Sequence, residues 1–243
     1  IVNVTRGTLI NDIIITLGKC VPQERVVFYK CNFGGRKKYF RNKEIEHLML
    51  VRCKQFLNTE INSITKCFEI HHLENKMQVL FDTAMAESLI LHQVETDRLL
   101  IRGSVLSHLN LELKSTSTLA ESFDCPKLQV FKLKFDRYSG VNNFTLPNSL
   151  YLRELSLHNI NFEYNSMWNF NEFRMLTKLT LERFKFNNDF CSISMLRNIE
   201  FISFKGIQNL TNNTLPPSLL KAKKLNHLDL FMVDSFGEVT DEL

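Results

Sequence analysis

The chain has 243 residues, 44% of them hydrophobic, with 30 basic and 26 acidic side chains and a formal net charge of +4. That apolar content excludes a wholly disordered chain, and no run of like charge is long enough to be an interaction tail. The mild basicity does not by itself imply a nucleic-acid partner, and no apolar stretch approaches a membrane span, so no membrane association is expected. No signal-peptide pattern is visible, and the chain, which starts at Ile1, is expected to be a fragment of a longer one. Cysteines at 20, 31, 53, 67, 125 and 191 form no Cys-x-x-Cys pair. They read as reduced, mostly buried thiols of an intracellular protein, cytoplasmic or nuclear. Four Asn-x-Ser/Thr sequons, at Asn3, Asn143, Asn209 and Asn212, favour instead an extracellular or surface receptor.

In chain order, Leu9 to Leu17 carries apolar residues at 9, 10, 13, 14 and 17, the spacing of a helix face. Val26, Phe28, Cys31 and Phe33 follow as a shortened form of a recurring apolar frame. Arg36, Lys37, Lys38, Arg41 and Lys43 form the densest basic run; it reads as a solvated connecting loop, with contact to an acidic partner or to phosphate as the sharper alternative. Ile45, Leu48, Leu50 and Cys53 repeat the earlier frame. His71 and His72 are adjacent on an expected strand, would point to opposite faces, and so should not converge on one metal ion. Met77 to Leu89 reads as a helix. Between 77 and 114 two strands compete, Leu89-x-Leu91 and Leu99-x-Ile101. Leu128, Phe131 and Leu133 resume the frame, and 135–150 reads as a loop. Trp168, Phe170 and Phe173 are expected to pack a return segment onto the core. A loop is expected over 185–198 and a helix over Pro217 to Leu225.

The clearest unit is Leu152-x-x-Leu155-x-Leu157-x-x-Ile160-x-Phe162, and its frame recurs from Leu176, from Ile199 and from Leu225. The second residue of each Leu-x-Leu pair is Val4, Phe28, Leu50, Ile70, Leu91, Leu111, Leu133, Leu157, Leu181, Phe204 and Leu230. Those markers cover 226 residues in ten steps, a mean of 22.6. Thr145–Leu150 and Thr214–Leu219, both Thr-Leu-Pro-x-Ser-Leu, lie 69 residues apart, three such steps. In Leu-x-Leu the two apolar side chains share one face of a short strand, which no single strand can bury alone. Stacking the strands into a parallel sheet buries it.

This pattern resembles the leucine-rich-repeat family over essentially the whole chain, at a period within its range of roughly 20–29 residues. The resemblance implies an α/β solenoid with a parallel sheet on the concave face and helices or loops on the convex face. Residues 1–243 would form one array of about ten to eleven irregular repeats. The family's Asn or Cys, three residues after the second Leu, is matched only by Cys31 and Cys53. Leu73, Val94, Asp136, Ile160, Phe184, Ile207 and Val233 stand there in other repeats. The cysteines and the degeneracy are similar to intracellular F-box leucine-rich-repeat proteins, which implies substrate recognition in a ubiquitin-ligase complex, joined to an adaptor through a segment outside this chain.

No Gly-x-Ser-x-Gly elbow, His-Glu-x-x-His, phosphate loop or dinucleotide fingerprint occurs, so no enzyme, cofactor or metal site is expected. A protein partner should meet the residues flanking the second Leu of each pair, which face out from the sheet. These include Val27, Tyr29, Met49, Val51, Glu69, His71, Ile90 and His92 in the first half, where the face is most apolar. Lys132, Lys134, His158, Glu182, Lys205 and Phe231 follow in the second half. The expected function is a protein–protein interaction scaffold. The alternatives are a receptor-type repeat domain and a structural subunit of a nuclear or nucleic-acid-associated assembly.

Overall fold

The computed structural model describes residues 2–4, 23–33, 45–54, 64–72, 77–82, 85–115, 117, 119–140, 146–147, 149–161, 173–185, 197–207 and 222–231. Its strands in chain order are β1 (Val2–Val4), β2 (Gln23–Tyr29), β3 (Ile45–Val51), β4 (Ile64–His71), β5 (Met77–Asp82), β6 (Ser88–Val94) and β7 (Thr96–Arg102). They continue as β8 (His108–Leu113), β9 (Leu119–Asp124), β10 (Val130–Gly140), β11 (Glu154–Asn161), β12 (Lys178–Lys185), β13 (Phe201–Lys205) and β14 (His227–Phe231). Eleven of them form one sheet in the order β1-β2-β3-β4-β6-β8-β10-β11-β12-β13-β14, with every pair parallel. The chain is a parallel-sheet solenoid.

The repeat frame sets the register. Phe28, Leu50, Ile70, Leu91, Leu111, Leu133, Leu157, Leu181 and Phe204 sit opposite one another along the sheet, and all are buried. The row two residues upstream, from Val26 through Leu48, Phe68, Leu89, Leu109, Phe131, Leu155 and Leu179 to Ile202, is buried as well. Full burial of one such side chain stabilises the fold by about 1.5–3 kcal/mol, so the two rows form the main core.

A third buried position owes its place to the backbone. Lys30, Arg52, His72, Gln93, Asn159, Arg183 and Gly206 all have φ between 48° and 60°, and each lies two residues after its marker. A left-handed residue breaks the strand alternation, so the next side chain turns back inward. That next residue is Cys31, Cys53, Val94, Ile160, Phe184 or Ile207, and each is buried. In β8 and β10 the strand runs on without the kink. There Leu113 and Phe135, one residue earlier, fill the position, and Lys114 and Asp136 face solvent. The position three residues after the marker is therefore a core position in most of these repeats, which is why apolar residues stand there.

The return wall differs from the sequence expectation. Met77–Asp82, expected as part of a helix, is strand β5, and it pairs in parallel with β7, which pairs with β9 in a separate three-stranded sheet. The competition between Leu89-x-Leu91 and Leu99-x-Ile101 has no loser. The first lies in the eleven-stranded sheet, the second in the three-stranded one, and Leu89, Leu91, Leu99 and Ile101 are all buried. The physical reason is length. The marker spacing here is 20 to 22 residues, against 23 to 26 from Leu133 onward. Extended chain covers about 3.3 Å per residue against 1.5 Å in a helix, so a short return closes only as a strand.

Residues 135–140, expected in a loop, extend β10. Residues 222–225, expected in a helix, form a turn closed by the Leu225 N–H on the Ala222 carbonyl at 3.0 Å. Among the described residues there is no helix, and none is long and apolar enough to cross a membrane. The helix expected over 9–17, the basic run from Arg36 to Lys43, and Trp168 and Phe170 lie outside the described residues; Phe173 is buried.

Candidate functional site

With two rows per strand directed into the core, the intervening residues line the open face of the sheet. One row runs Val27, Met49, Glu69, Ile90, Asn110, Lys132, Ser156, Thr180, Ser203, Asp229. The next runs Tyr29, Val51, His71, His92, Glu112, Lys134, His158, Glu182, Lys205, Phe231. The fourteen residues named above as facing a partner all fall in these two rows and are half-buried or exposed, whereas Ser156 and Ser203, in the same rows, are buried.

Most charges on this face are neutralised by a neighbour one repeat away. Lys134 lies 3.3 Å from Glu112, which also pairs with His92. Glu154 receives Lys132 at 3.0 Å and Lys178 at 3.2 Å, and Lys205 meets Asp229 at 3.1 Å. Burial pushes the Glu154 carboxyl up, but the hydrogen bonds from the two lysines outweigh it, so its pKa falls below the ordinary value. Asp229 is lowered as well, first by its hydrogen bond from Lys205. Exposed pairs of this kind stabilise by about 0–1 kcal/mol each, so the ladder holds register more than it adds stability.

The histidines mark the middle of the face. His71 is hydrogen-bonded to Glu69 at 3.1 Å, and its ring centroid lies 5.4 Å from that of His92. His72 also approaches His92, at 5.8 Å, although strand alternation would place it on the opposite side. The left-handed backbone at His72 brings it round. Sequence reasoning missed this, because nothing in a His-His pair signals a positive φ. Among the described residues no group of three or more His, Cys, Asp or Glu side chains could hold a metal ion.

Ser156, His158 and Glu182 form a chain, with Ser156 Oγ 2.7 Å from His158 Nε2 and His158 Nδ1 3.1 Å from Glu182 Oε2. Desolvation lowers the His158 pKa against the pull of Glu182, so near neutral pH the ring is uncharged and the link to Glu182 is a hydrogen bond. The connectivity is that of a nucleophile, base and acid. The surroundings are not those of a reaction centre. Ser156 is buried, and β11 is paired on both sides along this stretch, so its backbone N–H groups are committed to the sheet and cannot receive an oxyanion. We read the three as a link between adjacent repeats.

The first strands of the face differ. Val27 stands beside Met49, and Tyr29 beside Val51. Tyr29 is 38% exposed, with Lys30 Nζ 5.1 Å from its ring centre. The result is an apolar patch, rimmed by Arg25, Glu69 and His71, on a face whose other residues are mostly polar or charged. At the far end Phe231 is exposed.

Among the described residues the thiols show no activation, and Cys53, Cys67 and Cys125 form no disulfide. Burial pushes Cys53 and Cys125 up to about 12 and Cys67 to about 11, and it raises Cys31 as well. Comparison with family models, with curated proteins and with solved structures returned no match for this chain.

Proposed function

We propose that this protein is a recognition scaffold that binds a protein partner on the open face of its sheet, anchored at Val27, Tyr29, Met49 and Val51. The observation that carries the reading is the contrast along that face: one apolar, aromatic-bearing patch beside a ladder of charges that already satisfy one another. Interface hot spots combine an aromatic anchor with a polar surround. A sheet locked by repeat-to-repeat pairing loses little freedom on binding. The leucine-rich-repeat class is part of the same proposal, with helices in return segments such as 9–17. The buried thiols Cys53 and Cys125, neither in a disulfide, support a reducing compartment, cytoplasmic or nuclear. A place in a ubiquitin-ligase complex rests on the resemblance to F-box leucine-rich-repeat proteins.

The test is affinity purification with mass spectrometry, comparing the chain with a Tyr29→Glu/Met49→Glu variant and with Lys134→Glu. A partner retained by the chain and by Lys134→Glu but lost from the double variant supports the anchor. Equal recovery by all three removes it. A cullin–adaptor pair recovered by the full-length protein supports the ligase role, whereas a different stable assembly without an adaptor replaces that role with scaffolding.

A further inference from the structure

The chain leads into five successive strands of the large sheet through the same device, a tight two-residue turn. The turn residues are Pro126–Lys127, Leu150–Tyr151, Arg174–Met175, Arg197–Asn198 and Lys223–Lys224. Three of the turns are closed by a backbone hydrogen bond: the Leu128 N–H on the Cys125 carbonyl at 3.1 Å, Leu176 on Phe173 at 3.0 Å and Leu225 on Ala222 at 3.0 Å. Just after each of the first four turns one carbonyl accepts two amides from the next repeat. The Arg153 carbonyl takes the N–H groups of Thr177 and Lys178, both at 2.9 Å, and that of Gln129 takes Arg153 and Glu154 at 2.8 and 3.0 Å. Thr177 and Glu200 continue the series. The turns are thereby fixed in line at the strand spacing of about 4.8 Å, and four such steps make a ridge roughly 19 Å long on the N-terminal rim of the sheet.

The ridge is strongly and singly charged. Lys127, Arg153, Arg174, Arg197, Lys223 and Lys224 are all exposed on it, and the one anion in these segments is Glu200. On the open face Lys132, Lys134, Lys178 and Lys205 all have carboxylate partners. On the rim, among the described residues, none of the six makes an ion pair; Lys224 Nζ donates to Asn198 Oδ1 at 2.8 Å. Like charges one strand spacing apart lie within the ~8 Å screening length and repel. Between them stand three exposed apolar side chains: Leu150 at 67%, Tyr151 at 58% and Met175 at 42%.

We propose that this ridge of turns is a second docking surface, for an extended acidic polypeptide segment that carries apolar side chains among its Asp and Glu residues. The charge complement follows from the six exposed cations, which have no ion pair among the described residues. The peptide character follows from Leu150 and Met175, which have no counterpart on a phosphate backbone but match apolar side chains. The shape agrees: a single line of about 19 Å accommodates roughly six residues of extended chain at about 3.3 Å each, whereas a membrane plane would meet more than one line. This surface is separate from the Tyr29 patch and does not depend on it.

The test uses the full chain and four probes: a short fluorescein-labelled peptide of Glu residues interrupted by Leu, an all-Glu peptide of the same length, an oligothymidylate, and phosphatidylcholine vesicles containing phosphatidylserine. Arg174→Glu/Arg197→Glu is expected to raise the Kd for the Glu/Leu peptide about tenfold, with binding steeply dependent on salt. Leu150→Ser/Met175→Ser should weaken the Glu/Leu peptide several-fold and leave the all-Glu peptide unchanged. The same charge reversal at Lys30 and Arg52, away from the ridge, should change neither. Should the first double variant melt early, Lys127→Glu/Lys223→Glu reports on the same ridge from its two ends. Unaltered peptide affinity in the folded rim variants overturns the proposal, and so does tighter binding of the oligothymidylate or the vesicles than of the Glu/Leu peptide.

Discussion

At the residue scale, the left-handed positions show how much one dihedral decides. Asn159 has φ 60°, is buried, and donates from Nδ2 to the Phe135 carbonyl of the preceding repeat at 2.6 Å. Asn159→Ala removes that bond and keeps the strained backbone, so it should cost about 1–3 kcal/mol in urea unfolding, whereas Asn159→Gly relieves the strain and should cost less. At Gly206 a Cβ would meet nothing nearer than Arg183 Cγ at 3.6 Å, so Gly206→Ala should cost only the backbone term, about 1–2 kcal/mol. His158 has its pKa lowered by desolvation, so its share of stability is complete above the ordinary value of 6.5 and is lost as pH falls through the folded value. His72 acts in the same direction. Glu154 and Asp229, also lowered, lose theirs only on acidification below 4.5 and 3.8. Thermal melts across pH should therefore show a first decline below about 6.5 that His158→Gln makes shallower; an identical profile in the variant would remove His158 as a cause. Iodoacetamide at mildly alkaline pH should leave Cys53 and Cys125 unlabelled in the native protein and label both after unfolding, read by peptide mass.

At the element scale, each strand between β1 and β14 in the large sheet is held by neighbours on both sides. Thr180, in the middle of β12, pairs with Ser156 and Ser203. Thr180→Pro removes a ladder donor and clashes with the strand, so it should abolish cooperative unfolding. A melt of normal sharpness would show that β12 is dispensable. The return segments carry the other lesson of this scale. Leu99-x-Ile101 matches a strand as well as Leu89-x-Leu91 does, because both have period two and a buried face. Local pattern identifies a strand but not the sheet it joins, and Met77 to Leu89 lost its helical reading to the parallel pairing of β5 with β7.

At the scale of the whole molecule, two surfaces separate. The open face pairs most of its charges internally and carries an apolar patch near Tyr29; on the N-terminal rim the cations make no ion pair among the described residues. Binding through the first should be lost in Tyr29→Glu/Met49→Glu and survive rim reversal, with the opposite pattern for the second. Pull-downs of both variants side by side would separate them, and loss of both activities in either variant would mean that the surfaces are one.

The amino-acid sequence alone determined the repeat. The eleven marker residues, the two buried rows and the residues of the open face follow from period-two alternation inside a spacing near 22.6 residues, and both are local properties of the chain. Only the tertiary structure decided the rest. Whether the third buried position comes two or three residues after the marker depends on a left-handed residue that, among Lys30, Arg52, His72, Gln93, Asn159, Arg183 and Gly206, only the glycine announces. The second sheet, the carboxylate shared by Lys132 and Lys178, and the rim of turns all join residues about one repeat apart. Such contacts exist only once the coils stack, because the stacking brings distant residues within a strand spacing of about 4.8 Å.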